Sequence, residues 1–73
     1  MTRIGALGES AKVQGFALAG ALVFASDNGG EMESAWDTLP DDVGVLILTP
    51  AAAKRLAARL DERPHLLPVV MPQ

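Results

Sequence analysis

The chain has 73 residues, of which 49% are hydrophobic, and six basic against nine acidic residues give it a formal net charge of −3. This composition is too apolar for a disordered chain, and the length suits one small globular domain over residues 1–73. The acidic balance argues against a nucleic-acid-binding protein, which needs a basic surface. The chain contains no cysteine, so it can form neither a disulfide nor a thiolate metal site.

Three segments repeat the apolar spacing i, i+3, i+4, i+7 that is typical of an amphipathic helix. The apolar positions are Val13, Phe16, Ala17 and Gly20, then Met32, Ala35, Trp36 and Leu39, then Ala53, Leu56, Ala57 and Leu60. Gly20 fits the left-handed residue that ends the first helix. Thr49 and Pro50 fit the N-cap and first position of the third helix, and Pro64 fits its end.

Four short apolar runs alternate with these helices, at residues 3–8, 21–25, 43–48 and 67–71. The run VGVLIL has no polar position on either face, which is typical of a central parallel strand covered on both sides. The order βαβαβαβ predicts an α/β fold of the flavodoxin-like or Rossmann-like type. Right-handed crossovers favour a four-stranded parallel sheet of order 2-1-3-4, with the first helix on one face and the other two on the opposite face.

Gly15 lies inside the first predicted helix, where a glycine costs roughly 0.5–1 kcal/mol relative to alanine. One interpretation is close packing, because the missing Cβ would let Val13 and Phe16 lie nearer to strands 1 and 2. The other is a flat patch of Gly15, Leu18 and Ala19 that a partner helix approaches. A Gly15→Leu substitution separates them: loss of folding indicates packing, and an intact fold with weaker partner binding indicates an interface.

The sequence offers little for catalysis. His65 is the only histidine and lies in a proline-flanked loop, and the three serines have no credible base nearby. A phosphate-receiving response regulator would need an aspartate at the end of strand 3, which instead ends in Leu48 and Thr49. We therefore predict no catalytic residue, no metal and no cofactor.

The crevice at the carboxyl ends of strands 1 and 3 is where open α/β sheets usually bind ligands. In this chain it would be lined by Gly8, Glu9, Ser10 and Thr49. The segment GALGES lacks the spacing and the lysine of a phosphate-binding loop. The crevice nevertheless gives an alternative function, that of a small flavodoxin-like module binding a phosphorylated ligand.

Charge is distributed unevenly along the chain. The stretch from Asp27 to Asp42 contains six acidic and no basic residues, and the third helical segment carries four of the six basic residues. Arg55 and Arg59 could therefore bind an acidic partner. Alternatively, the second and third helices share one face of the sheet and neutralise each other's charge. We favour this interpretation, because exposed ion pairs contribute only about 0–1 kcal/mol and can form without any role in binding.

The segments GESAKVQGFALAG, VGVLILTPAAAKRL and LPVVMP, in this order, resemble the F subunit of the V-type/A-type rotary ATPases. The matching positions are Gly8, Glu9, Gly15, Phe16, Leu18, Ala19, Gly20, Ile47, Thr49, Pro68, Val69 and Pro72. The resemblance covers nearly the whole chain and implies a four-stranded α/β domain like the N-terminal domain of that protein. The family pattern continues into a C-terminal segment tied to regulation, whereas this sequence ends at Pro72-Gln73, so we expect a truncated form or a short relative.

The resemblance also implies a function. It implies a non-catalytic central-stalk component of a proton- or sodium-translocating ATPase, whose partners are the coiled-coil shaft subunit and the other subunits of the complex. The predicted partner interface consists of Gly15, Leu18, Ala19, Arg55 and Arg59.

The start of the chain, MTRIGALGES, lacks the features of a signal peptide, and the longest apolar stretch is shorter than the ~20 residues that cross a bilayer. We therefore expect a cytoplasmic protein, peripheral to a membrane complex and not inserted in the bilayer. We also expect weak self-association through the two edge strands.

Overall fold

Four strands form one parallel sheet in the order β2-β1-β3-β4. They are β1 (Arg3–Gly8), β2 (Leu22–Ala25), β3 (Val43–Leu48) and β4 (Leu67–Val70). The computed structural model describes residues 2–72. It confirms the predicted strand order, with β2 beginning one residue later and β4 ending one residue earlier than the apolar runs.

Three helices connect the strands: α1 (Ser10–Val13), α2 (Gly29–Asp37) and α3 (Pro50–Leu56). Two 3₁₀ helices extend the first and the third of them, over Gln14–Ala19 and Ala57–Glu62. The prediction of one continuous amphipathic α-helix is therefore wrong for the first segment, and for the third it holds only as far as Leu56. A 3₁₀ helix has three residues per turn, so the 3.6-residue stripe no longer shares a face, and Ala17 and Gly20 are exposed.

The predicted helix ends are confirmed. The Thr49 side-chain oxygen accepts a hydrogen bond from the Ala52 backbone N–H at 3.2 Å, and Pro50 occupies the first position of α3. Gly20 adopts the left-handed conformation, with φ 86°, and ends the first helical segment. These caps fix where each helix leaves the sheet.

The main hydrophobic core lies between the sheet and the pair α2 and α3. Its buried members are Leu7, Met32, Trp36, Leu39, Val43, Leu46, Leu48, Ala52, Leu56 and Leu66. The opposite face is covered by α1 and the first 3₁₀ helix, which pack on β1 and β2 through the buried Val13 and the half-buried Phe16. Two helices thus cover one face, and one short segment covers part of the other.

Candidate partner-binding surface

The structure brings the four predicted crevice residues together at the carboxyl ends of β1 and β3. The Thr49 hydroxyl donates to Glu9 Oε1 at 2.6 Å. A Cβ at Gly8 would overlap the Thr49 side chain, so glycine is needed for this close approach. Ser10 donates from its hydroxyl and its backbone N–H to the Asp27 carboxylate at 3.0–3.1 Å. The polar groups of the crevice are therefore bonded to one another.

The charge of this crevice suits a phosphorylated ligand poorly. The hydrogen bond from Thr49 holds the pKa of Glu9 below its ordinary value, so this carboxylate stays ionised at neutral pH. Asp27 adds a second carboxylate, and the Lys12 ammonium lies 3.5 Å from Glu9 and pairs with it. The geometry gives the alternative function no support, and ligand binding at Gly8, Glu9, Ser10 and Thr49 stays a prediction.

A pH dependence of stability follows from Glu9. A carboxyl group whose pKa is lower in the folded than in the unfolded chain stabilises the fold above its ordinary pKa, and this contribution is lost as the pH falls through the folded value. We expect the Glu9→Gln variant to be less stable than the wild type at pH 7 and to lose less stability between pH 5 and pH 3. Urea midpoints across that range measure both. Identical pH profiles for the two proteins would contradict this role of Glu9.

Arg55 and Arg59 lie on the α2 and α3 side of the sheet and form ion pairs within the chain. Arg55 lies 2.7 Å from Glu33, and Arg59 lies 2.5 Å from Asp37 and 3.2 Å from Glu62. The hydrogen bonds to Glu62 and Asp37 raise the pKa of the Arg59 guanidinium above its ordinary value. These contacts match the interpretation that the two helical segments neutralise each other. A partner contact at either arginine stays a prediction.

Gly15, Leu18 and Ala19 are all exposed on the first 3₁₀ helix, and the Leu18 side chain is 95% exposed. A Cβ at Gly15 would meet no atom within 4 Å. The interpretation that Gly15 allows close packing on the chain's own sheet is therefore wrong, because its missing side chain would point into open space. The flat-patch interpretation stays a prediction.

We expect Gly15→Ala to raise the free energy of unfolding by about 0.4–1 kcal/mol. Gly15 does not have a positive φ, so alanine can adopt its conformation, and the substitution reduces the entropy of the unfolded chain. Urea denaturation of the two proteins measures the difference. A Gly15→Ala variant that is less stable than the wild type would contradict this prediction and would show that a Cβ is not tolerated at this position.

An apolar surface that our sequence analysis did not identify lies beside this segment, on the same face of the sheet. The strand register places the side chains of Ile4, Val45, Ile47, Leu67 and Val69 on one face of β1, β3 and β4. We call these five residues the apolar half-face. Ile4 is 49% exposed, Leu67 59% and Val69 43%, since α1 and the first 3₁₀ helix pack mainly on β1 and β2.

The expectation that β3 is covered on both sides is thus only half right. Its residues Leu46 and Leu48 are fully buried under α2 and α3, whereas Val45 and Ile47 on the other side are only partly buried. A signal for this was available in the sequence. Three helices divided two to one cannot cover both faces of four strands.

A groove of about 450 Å³ extends the apolar half-face toward the first 3₁₀ helix. It is lined by Thr2, Arg3, Ile4, Phe16, Ala19, Gly20, Ala21 and Ile47. Ile4 and Ile47 belong to both the groove and the half-face, so the two form one continuous surface from Ala19 to the edge strand β4. Extended apolar surfaces of this kind usually mark interaction sites.

The sequence matches a known protein family over almost its whole length. The family model of the ATP synthase (F/14-kDa) subunit matches residues 4–72. The chain belongs to this family. The sequence comparison thus supports the family that the ordered motifs resemble, and the F subunits that make up this family are non-catalytic.

A solved structure supports the same fold for this F-family protein. The crystal structure of the F subunit of the V-type ATP synthase from Archaeoglobus fulgidus is similar, with a TM-score of 0.60 at 22% sequence identity. The match covers 97% of this chain and 98% of that chain. A search of curated protein sequences finds no significant match.

Family membership makes the other subunits of a rotary ATP synthase the expected partners of this F-family protein. Among residues 2–72, no cluster of three or more His, Asp or Glu side chains could hold a metal ion. Within the same residues no helix has both the length and the apolar character to span a bilayer.

Proposed function

We propose that this F-family protein occupies the central stalk of a V/A-type proton- or sodium-translocating rotary ATPase and binds the coiled-coil shaft subunit. The observation that carries the proposal is the continuous apolar surface formed by the half-face and the groove. Monomeric soluble proteins rarely expose such patches unless they bind something there. The partner of an ATP synthase component is most simply another subunit of the same complex.

In this role the protein acts through contacts with other proteins and hydrolyses no ATP itself. Residues 1–73 would serve as one α/β domain, equivalent to the N-terminal domain of the F subunit, that turns with the shaft. In such a complex it would lie in the cytoplasm, peripheral to the membrane. A sheet with a packed core on its other face offers a firm support for such a contact, because protein interiors are closely packed and resist deformation.

The predicted interface residues divide between two sides of the sheet. Gly15, Leu18 and Ala19 lie on the side of the apolar half-face, and Ala19 lines the groove. We assign this set to the shaft contact. Arg55 and Arg59 lie on the opposite side with α3, so they would face a different subunit of the complex.

Co-expression with the shaft subunit of the same organism's rotary ATPase tests the proposal. We expect the two proteins to co-purify as a stable complex whose dissociation constant can be measured by calorimetry. Leu18→Glu should weaken this complex at least fivefold, because it replaces an apolar side chain that is 95% exposed on the assigned contact segment with a charged one. The matched control Ala58→Glu, at an exposed position of the second 3₁₀ helix, should bind like the wild type.

Two results would overturn the proposal. One is the absence of any complex between the wild-type chain and the shaft subunit. The other is a clear thermal stabilisation of the isolated chain by nucleotides or flavins, which would favour the ligand-binding alternative.

A further inference from the structure

We propose that a single amphipathic α-helix of the shaft subunit lies on the apolar half-face, with its axis along the strands and its apolar stripe against Ile47 and Val69. This inference rests on the proposed function, and it names the surface and the kind of element that the surface binds. The half-face consists of five apolar side chains and contains no charged one. The contacting stripe of the helix should therefore be apolar as well.

The dimensions of the uncovered area suit one helix. Neighbouring strands lie about 4.8 Å apart, so the distance from β1 to β4 across β3 is roughly 10 Å. This distance is close to the ~10–12 Å diameter of an α-helix with its side chains. Helices normally cover both faces of a parallel sheet, and here α1 and the first 3₁₀ helix already cover β2 and the part of β1 around the fully buried Ala6.

The size of the half-face argues against a second copy of this chain as its occupant. A stable interface buries about 800 Å² on each partner and involves roughly 20–30 residues a side. Five side chains, three of them only 43–59% exposed, fall well short of that size. A long helix of the shaft subunit can extend beyond the half-face along the groove, where Phe16 and Ala19 add contact area.

The chemistry of β4 argues against an added strand at this edge. The Met71 backbone N–H donates to the Leu48 carbonyl at 2.8 Å, so the alternate residues Leu67, Val69 and Met71 direct their backbone groups toward β3. Pro68 and Val70 then face the outer edge. Pro68 has no N–H, which removes a donor that a new strand would need. A partner therefore has a better contact with the face of the sheet than with its edge.

Adjacent residues of β4 provide a matched pair of variants. Val69 is 43% exposed on the half-face, and Val70 is 54% exposed on the opposite face of the same strand. We expect Val69→Asp to weaken binding to the shaft subunit at least tenfold and Val70→Asp to change it less than twofold. Calorimetry on the wild type and both variants measures the affinities, and urea denaturation checks that the variants are folded. Leu67→Asp, also on the half-face, repeats the test if Val69→Asp does not fold.

The outcomes separate this inference from the proposed function. If the wild type does not bind the shaft subunit, the proposed function fails and the inference fails with it. If the wild type binds and the two β4 variants have equal effects, the inference fails while the proposed function stands. A concentration-dependent dimer that Val69→Asp abolishes would assign the half-face to a second copy and would also overturn the inference.

Discussion

Replacing Trp36 with alanine is expected to lower the free energy of unfolding by about 3–5 kcal/mol. Trp36 is only 1% exposed and is among the largest of the fully buried side chains in the core between the sheet and α2. Its ring also lies under the Arg63 guanidinium, 5.3 Å from the ring centroid, and its Nε1–H donates to Glu62 at 3.1 Å. A domain of this length has a total stability of only about 4–11 kcal/mol. The expected loss is therefore a large fraction of the total stability, and Trp36→Ala should unfold at a much lower urea concentration and temperature than the wild type.

Circular dichroism during urea or thermal denaturation measures this loss. Trp36→Phe is the matched control, because it keeps a buried ring but loses the hydrogen bond to Glu62, and it should cost clearly less than alanine. A Trp36→Ala variant as stable as the wild type would mean that the core between the sheet and α2 does not hold the fold together.

Replacing Gly8 with alanine is expected to destabilise the fold by about 1–3 kcal/mol, the usual cost of overpacking a buried site. The added Cβ would overlap the Cβ, Cγ2 and Oγ1 atoms of Thr49, which is itself fully buried. Thr49 cannot move away freely, since it caps α3 and donates to Glu9. The overlap should therefore displace β1 relative to the start of α3.

Urea denaturation again measures the effect, with Gly15→Ala as the control for a glycine that has open space around it. The two variants make the same chemical change, and we expect opposite signs. A Gly8→Ala variant that is as stable as Gly15→Ala would show that the turn after β1 adjusts without cost.

The sheet could be predicted because its signals are local and periodic. The run VGVLIL marks the central strand, and the right-handed rule for parallel crossovers then leaves few orders for the remaining strands. Thr49, Pro50 and Gly20 could be placed at helix ends because each satisfies a local backbone requirement. These features depend on residues next to one another in the chain.

The features that could not be predicted depend on the whole fold. The spacing of Val13, Phe16 and Ala17 fits an α-helix. The segment nevertheless forms a 3₁₀ helix after Val13, and Gly15 within it has a low α-helix propensity. The exposure of Val69 depends on how far α1 reaches across the sheet, which no local pattern records. The crevice residues Glu9 and Thr49 were placed correctly at the strand ends, but their mutual hydrogen bond became evident only from the structure.

Methyl NMR of the chain titrated with the shaft subunit reports which face of the sheet the partner contacts. In a protein of this size the methyl groups of Ile4, Ile47 and Val69 can be followed individually. We predict that they shift or broaden on binding, while the methyl groups of Val70, on the opposite face of β4, and of the core residue Leu56 remain near their free positions. Perturbations confined to the α2 and α3 side, or none at all when the shaft subunit is saturating, would mean that the shaft subunit does not bind the apolar half-face.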